Sequence, residues 1–600
     1  MRCKTPCLLR DKLLGEKIAS QLVSIPDAVI KIPTRKSQAT HEIVFIAKLH
    51  PLGIKSFYIK KVNPKIKRNV QIKRQNDYYG NLNDYWRNIH KQIDLDIRNI
   101  EDETIITEKI PLPMLTRESE ALDLDKIDID MLKDRYDLPE NVGELSKIMG
   151  KYGNHVTSNR YLGKNENYPS LNEEEMRMLS DEPRIVERSA EYYMENEFFK
   201  LRVDNTTGRI THLLLPDRTT NLEIQFNYWT GFIGDNSKPS TRSSGAYIFR
   251  PKTTEPIPID YTKTESIHGD IVQEIRSQTK KNAFSTLSIY KGLNYFEHDF
   301  VIGPLNIADG EGKEYTVRYS TNIFNNGMFY TDSNGRQLIK RKLNSRNYNA
   351  TIEEPVAGNY YPIVNEIFIE DDYQRIAVLT DRAEGGTSLQ EGLIEIMVHR
   401  RLLHDDAFGV GEALNETANN VGLAVRGKHR LINIQPNEEI FEQKLIIQTH
   451  LSPIVFVSNA DKVSYEEWVK LNHCFKGLKE LPIGVHLLTL EPLGANTLLL
   501  RVENYLKKSE NATVLVDLGT IFNNLKVLSL RETSLAANRW LDNIEKWRWN
   551  TENDFKNTFN KEYGNFNNNG DNVGIKEDGL KIKLKAKQIR TFIANYEMIV

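Results

Sequence analysis

The hydrophobic rhythm of the chain changes near residue 196. From there apolar side chains recur at every second position: Phe199, Leu201 and Val203 alternate with Lys200, Arg202 and Asp204, and the polar stretch 205–208 leads into the apolar run 210–215. A period of two puts successive side chains on opposite faces, so the pattern predicts half-buried strands joined by a turn. The same alternation returns at Tyr315, Val317 and Tyr319 and along 394–403, with turn signals at Asn326-Gly327 and Asn334-Gly335 between them. Repeated strands with Gly and Asn turns predict a mainly β chain of stacked antiparallel sheets. A further strand is expected over 443–450, and others beyond Pro453 at 487–490, 498–502, 513–518, 580–584 and 589–596, with an Asn-rich surface loop over 550–572.

Residues 61–195 lack this alternation. They run basic at Lys60, Lys61 and 65–74, then acidic from Asp94 to Asp130, with amphipathic pieces such as 121–136 set between polar gaps. Few apolar anchors in a charge-dense stretch predict short helices on a solvated or mobile connection. Elsewhere helix is expected only around 465–474.

Composition narrows the function classes. A chain of 600 residues holds about four domains at ~150 residues each. With 80 basic against 82 acidic residues and a net charge of −2, nothing favours nucleic acid or an anionic membrane as partner. No apolar run reaches the ~18 residues of a membrane span. The opening MRCKTPCLLRDKLLGEK is too interrupted by charge for a signal-peptide core. Three cysteines, Cys3, Cys7 and Cys474, cannot all close into internal disulfides. Asn205, Asn349, Asn415 and Asn511 open N-x-S/T sequons, which are glycosylation acceptors in a secretory compartment. His268-Gly269-Asp270 and His404-Asp405-Asp406 fit a His-x-Asp spacing, but 13 His and 82 acidic residues give about two such matches by chance.

Specific segments carry more. EPVAGNYYP (354–362) is followed by AVLTDRAEGGTSLQEGLIEIMVHRRLLHDDAFGVGEALNE (377–416), where a Gly-rich turn leads into an alternating strand ending in His399-Arg400-Arg401 and then Asp405-Asp406. SSGAYIFRP (243–251), VIGPLNIADGEGKEYTVRYST (301–321), FYTDSNGR (329–336), LLTLEPLGANTLLLRVEN (487–504) and QIRTFIAN (588–595) continue the pattern. So do IPDAVIKIP (25–33) and HEIVFIAKLHPLGIKSFYI (41–59). This series resembles the carboxy-terminal half of lysosomal-type α-mannosidases, glycoside hydrolase family 38, over most of the chain outside 61–195. The resemblance implies a galactose-mutarotase-like large β domain. It also implies the partition 1–60 partial small β domain, 61–195 charged, partly helical insert, 196–452 large β-sandwich and 453–600 terminal β domain.

In that family an amino-terminal α/β domain holds zinc through two His and two Asp, one of them the nucleophile. Nothing in this sequence corresponds to that domain, so no catalytic residue and no bound metal are expected here. The resemblance implies zinc in the full-length family, mannose-containing glycans as substrate, a zinc-domain chain of the same enzyme as partner, and the lysosome as location. It places the Tyr of SGAY, here Tyr247, on the rim of the sugar pocket, where a phenol bonds hydroxyls while its ring packs on a sugar face; an ordinary strand aromatic is the other reading. A second rim residue is an Arg in the family and Phe408 in this chain, which removes a guanidinium contact. His399, Arg400, Arg401, Asp405 and Asp406 are expected to form a polar network that positions their loop. The adjacent acids Glu353-Glu354 and Asp371-Asp372 face opposite ways on a strand and cannot flank a glycosidic bond. Two functions follow: the carboxy-terminal portion of an α-mannosidase, probed by whether the reading frame continues upstream of Met1, or a non-catalytic β-sandwich module for carbohydrate binding or assembly.

Overall fold

In a computed structural model, residues 18–61, 191–204, 207–346, 348, 351–459, 462–470, 474–507, 513–544 and 579–599 are described, together with strands Arg2–Cys3 and Cys7–Arg10. Met1–Lys65 and Arg188–Val600 form one compact unit and Ile66–Glu187 another. The second unit lies outside the described residues, as do most of the charged, partly helical insert expected over 61–195 and the Asn-rich loop over 550–572. The last five residues of that insert are instead a strand, Glu191–Glu195, which continues the period-two pattern and pairs with Lys200–Asp204.

Two nine-stranded sheets make the large sandwich. The first runs, in spatial order, Tyr361–Ile363, Glu384–Thr387, Leu393–Arg401, Lys313–Thr321, Thr219–Thr230, Ile210–Leu214, Lys200–Asp204 and Glu191–Glu195, with Ile257–Pro258 paired beside Thr219–Thr230. The second runs Tyr261–Ile267, Val272–Thr279, Ala283–Tyr290, Phe296–Ile302, Val425–Ile434, Arg375–Thr380, Glu366–Glu370, Met328–Ser333 and Gln337–Lys342. All of their pairings are antiparallel. The alternation seen in the sequence sets the faces: Phe199, Leu201 and Val203 are buried, and Phe226, Tyr319 and Ile396 of the first sheet share one core with Phe300, Ile367 and Val378 of the second. Asn326 and Gly327, and likewise Asn334 and Gly335, have positive φ, as tight turns between twisted strands require.

A buried polar chain crosses this core. His298 Nδ1 lies 2.8 Å from the Tyr319 hydroxyl, which is 2.7 Å from His429 Nδ1, and His429 Nε2 is 2.8 Å from Glu384. With the Glu384 carboxylate accepting from His429 Nε2–H, His429 Nδ1 is left as an acceptor. Tyr319 therefore donates to it, and His298 Nδ1–H donates to the phenol oxygen. His298 Nε2 is then a bare lone pair, consistent with its having no hydrogen-bond partner among the described residues. Burial, with His429 adding to it, holds the His298 imidazole well below its ordinary pKa.

The terminal β domain has a four-stranded sheet in the order Val485–Gly494, Thr497–Asn504, Ile589–Met598 and Leu525–Thr533, with Val514–Asp517 paired to Lys581–Leu584. Leu500, Val516, Leu584 and Phe592 are buried at its centre. The strand expected over 443–450 is instead the end of a helix, Glu439–His450. Its β-branched tail reads as a strand locally, but Leu445 and Ile446, with Phe441, pack on Phe368, Ala377 and Ile432 on the outer face of the second sheet. Tertiary burial overrides propensity there. Of the helix expected around 465–474, Tyr465–Lys470 is helical, whereas Cys474–Lys476 pairs as a strand with Gly53–Lys55. At the amino end Ser20–Ser24 pairs with His41–Phe45, and Gln21 and Ser24 bond the second large sheet at Val272 and Arg276.

Candidate functional site

The segment 244–250 leaves the first sheet and folds into a short turn closed by Gly245 N–H donating to the Ile248 carbonyl at 2.9 Å. Two charged side chains from strand Leu393–Arg401 and the loop after it grip this turn from opposite polarities. Arg400 donates to the carbonyls of Gly245 (2.8 Å) and Ile248 (2.9 Å). Asp406, fully buried, accepts from the amides of Tyr247 (2.6 Å) and Ile248 (2.9 Å) and, with its other oxygen, from Phe408 N–H (3.2 Å). A Cβ at position 245 would stand 2.7 Å from Asp406 Cβ, so the approach requires the Gly of SGAY.

Arg400 is itself fixed by Glu314, its cross-strand neighbour, at 2.6 Å, and Glu314 also accepts from the Ser244 hydroxyl at 3.1 Å. Burial pushes the Glu314 carboxyl up against the opposing pull of Arg400. Asp405 turns the other way, bonding the amides of Ala407 (2.9 Å) and Gly411 (3.2 Å), while its main-chain carbonyl accepts from Asn236. His399 and Arg401 point to the opposite face of the strand from Arg400. His399 Nε2 meets the Leu423 carbonyl at 3.0 Å, with its imidazole pKa lowered by burial, and Arg401 bonds Leu305 O and Asn415 Oδ1, each at 2.7 Å. The five polar residues singled out in the sequence thus divide into Arg400 and Asp406 on the 245–248 turn, Asp405 within its own loop, and His399 with Arg401 elsewhere.

At the tip of the clamped turn Tyr247 is 67% exposed and Phe408 55% exposed, and their ring centroids lie 6.3 Å apart. The Arg242 guanidinium sits 4.4 Å from the Phe408 ring centre. The result is an open aromatic surface with a phenol and a cation at its edge, held on a rigid base. Such a surface can pack on the apolar face of a sugar and bond its hydroxyls. The two buried carboxylates beneath it are engaged within the fold: Glu314 pairs with Arg400, and Asp406 accepts from backbone amides. Ser244, Glu314 and Arg242 were not singled out in the sequence. Their roles depend on strand register and loop closure, for which a linear pattern has no signal.

A zinc site does not fit the described residues. Among them no three His, Cys, Asp or Glu side chains gather in a way that could hold a metal ion. In the His-x-Asp pair at 404 and 406, His404 is exposed while the Asp406 carboxylate is spent on backbone amides. His268 and Asp270 are exposed after strand Tyr261–Ile267. Of the sequon residues, Asn415 is exposed, and Asn205, Asn349 and Asn511 lie outside the described residues. No helix of the described residues is long and apolar enough to cross a membrane.

The segment that builds the clamp also carries a family signature. The sequence profile of the glycosyl hydrolases family 38 C-terminal domain matches residues 194–408, and that of the family 38 C-terminal beta sandwich domain matches 484–592. Together they take in more than half of the chain. The chain belongs to glycosyl hydrolase family 38. Lysosomal alpha-mannosidase of Bos taurus is 36% identical over 379 residues, 61% of this chain and 37% of the bovine protein. That of Mus musculus is 33% identical over 439 residues, 71% of this chain and 42% of the murine protein. The family 38 chain therefore spans about two fifths of the length of these relatives. The crystal structure of an alpha-mannosidase from Enterococcus faecalis V583 covers 67% of this chain, and this chain covers 42% of it, with TM-score 0.45 and 13% identity.

Proposed function

We propose that this family 38 chain is the carboxy-terminal β portion of an α-mannosidase acting on terminal α-mannosyl residues of N-glycans in glycoprotein breakdown, in the lysosome. The observation that supports this reading most is the rigid presentation of Tyr247 beside Phe408, both within the segment that matches the family. Tyr247 is the glycan contact on the pocket rim, Phe408 extends the apolar surface where the family has an Arg, and Arg400 with Asp406 positions them. The zinc and nucleophile of the retaining reaction belong to a zinc domain with which this portion works, and the residues of this chain bind and orient the glycan without making or breaking its bonds.

The purified 600-residue chain with added zinc is expected to leave a chromogenic α-mannoside unhydrolysed. Co-expressed with a family zinc domain, it should form a soluble complex that turns the substrate over. In that complex Tyr247→Ala should lower kcat/KM about tenfold, the worth of one phenol hydrogen bond and part of a ring contact, with little change in thermal midpoint because the side chain is exposed. Phe408→Arg should leave turnover unchanged or raise it, the nearby Arg242 opposing the gain. Intact turnover in Tyr247→Ala with a collapsed midpoint would make Tyr247 a structural aromatic and end the rim assignment.

A further inference from the structure

Two hollows lie side by side on the outer face of the second large sheet and share no lining residue with the clamped turn. The smaller, about 100 Å³, opens between that sheet and the amino-terminal segment around Ser24 and Val29. The larger, about 310 Å³, reaches Thr449 and Ser452 at the end of helix Glu439–His450. Asp299, Arg426 and Lys428 line both, so the two form one cleft with these residues at its waist. Its floor is the pairing of Phe296–Ile302 with Val425–Ile434, in which Asp299 is directly opposite Lys428. A volume of this size falls at the lower end of small-ligand sites, which begin at about 300 Å³.

Charge in the cleft is balanced. Glu274 closes on Arg276 at 2.6 Å, Glu297 on Lys428 at 2.5 Å and Arg430 at 3.0 Å, and Asp381 on Arg382 at 2.9 Å. Asp299 differs, because Arg426 and Lys428 both stop at 3.6 Å, longer than a hydrogen bond. Its carboxyl, 19% exposed and raised in pKa by burial against the pull of Lys428 and Arg426, lines the cleft with an ammonium and a guanidinium beside it as donors. An anion entering here meets Asp299 and Asp381, and a cation meets Arg426 and Lys428. A neutral molecule with neighbouring hydroxyls suits both signs, since each hydroxyl can donate to the carboxyl and accept from the adjacent cation.

We propose that this cleft is a second, non-catalytic binding site for a neutral oligosaccharide, centred on Asp299, Arg426 and Lys428. The proposal rests on the reading that the chain meets mannose-containing glycans, and it assigns a second contact to them on a face distinct from the rim. The test is titration of the full 600-residue chain with mannotriose, followed by calorimetry and by amide shifts in NMR spectra. Asp299→Asn and Arg426→Gln should each weaken binding about tenfold, the loss of one charge-assisted hydrogen bond, while Tyr247→Ala leaves it unchanged. Inorganic phosphate and spermidine should not compete. Arg426 is the more exposed of the two and carries the test if Asp299→Asn unfolds the chain. No binding at millimolar mannotriose, equal affinity in Arg426→Gln, or displacement by phosphate overturns the site. None of these outcomes touches the mannosidase reading, which stands or falls on turnover of the complex with a zinc domain.

Discussion

Asp406→Ala should lower the unfolding free energy of the large sandwich by about 3 kcal/mol, through loss of a buried carboxylate that serves the amides of Tyr247, Ile248 and Phe408. Hydrogen bonds to a charged acceptor are worth about 1.5–3 kcal/mol each, but they are not additive, and the freed amides lie near enough to the surface to recover some bonding from water. For a domain of this size the corresponding fall in thermal midpoint is roughly 6–12 °C. Asp406→Asn keeps one acceptor oxygen and should lose about half as much. Asp405→Ala is the control, because that side chain bonds only its own exposed loop and should cost under about 1 kcal/mol. The clamp also predicts where the damage appears: tryptic cleavage after Arg242 or Arg250 should accelerate in Asp406→Ala and not in Asp405→Ala. Equal midpoints for the two alanine variants would show that the carboxylate does not hold the turn.

Asp405 and Asp406 are adjacent in one recognisable run and look equivalent in sequence, yet the fold buries one in an amide cradle and leaves the other in a surface loop. The stacked antiparallel sheets were legible because period-two alternation at 199–203 and Asn-Gly turns act locally, and the fold obeys them. The helix at Glu439–His450 was not, because its β-branched end favours a strand and only the sheet beneath it decides otherwise. Glu314 was invisible as a partner of Arg400, since their meeting depends on strand pairing across 86 residues. Charges at long separation are the hardest to place, and the junction of the large sandwich with the terminal domain consists of them.

At that junction Glu442 accepts from Arg375 (2.9 Å) on the sandwich and from Lys507 (3.0 Å) on the terminal domain, while Gln443 joins Glu366 (3.3 Å) to Lys587 (3.1 Å). Arg336 reaches Glu503, which also meets His486 at 2.8 Å. Glu366 and Glu442 each leave one buried oxygen without a partner among the described residues, and the two carboxyls repel one another. Burial first, and repulsion from Glu442 second, raise the Glu366 carboxyl well above the ordinary value of 4.5, with Lys507 pulling the other way. A carboxyl raised in the folded state binds more protons there than in the unfolded chain. Its stabilising contribution is therefore complete below 4.5 and is lost as pH rises toward the folded pKa. His298 has the opposite sign: its pKa is lowered on folding, so its contribution holds above 6.5 and is lost as pH falls below that value. Because the two slopes oppose each other, the informative measurement is the difference between Glu366→Gln and the parent chain at each pH, in which the histidine cancels. Gln cannot ionise, so it should stabilise the junction by a margin that grows from mildly acidic to alkaline pH, and the terminal domain should then resist separate unfolding at pH 8. At acidic pH the parent would already have this benefit, and the two proteins should converge. Thermal midpoints that run parallel across pH 5–8 would mean that Glu366 keeps one protonation state throughout and that the junction carries no pH dependence of this origin.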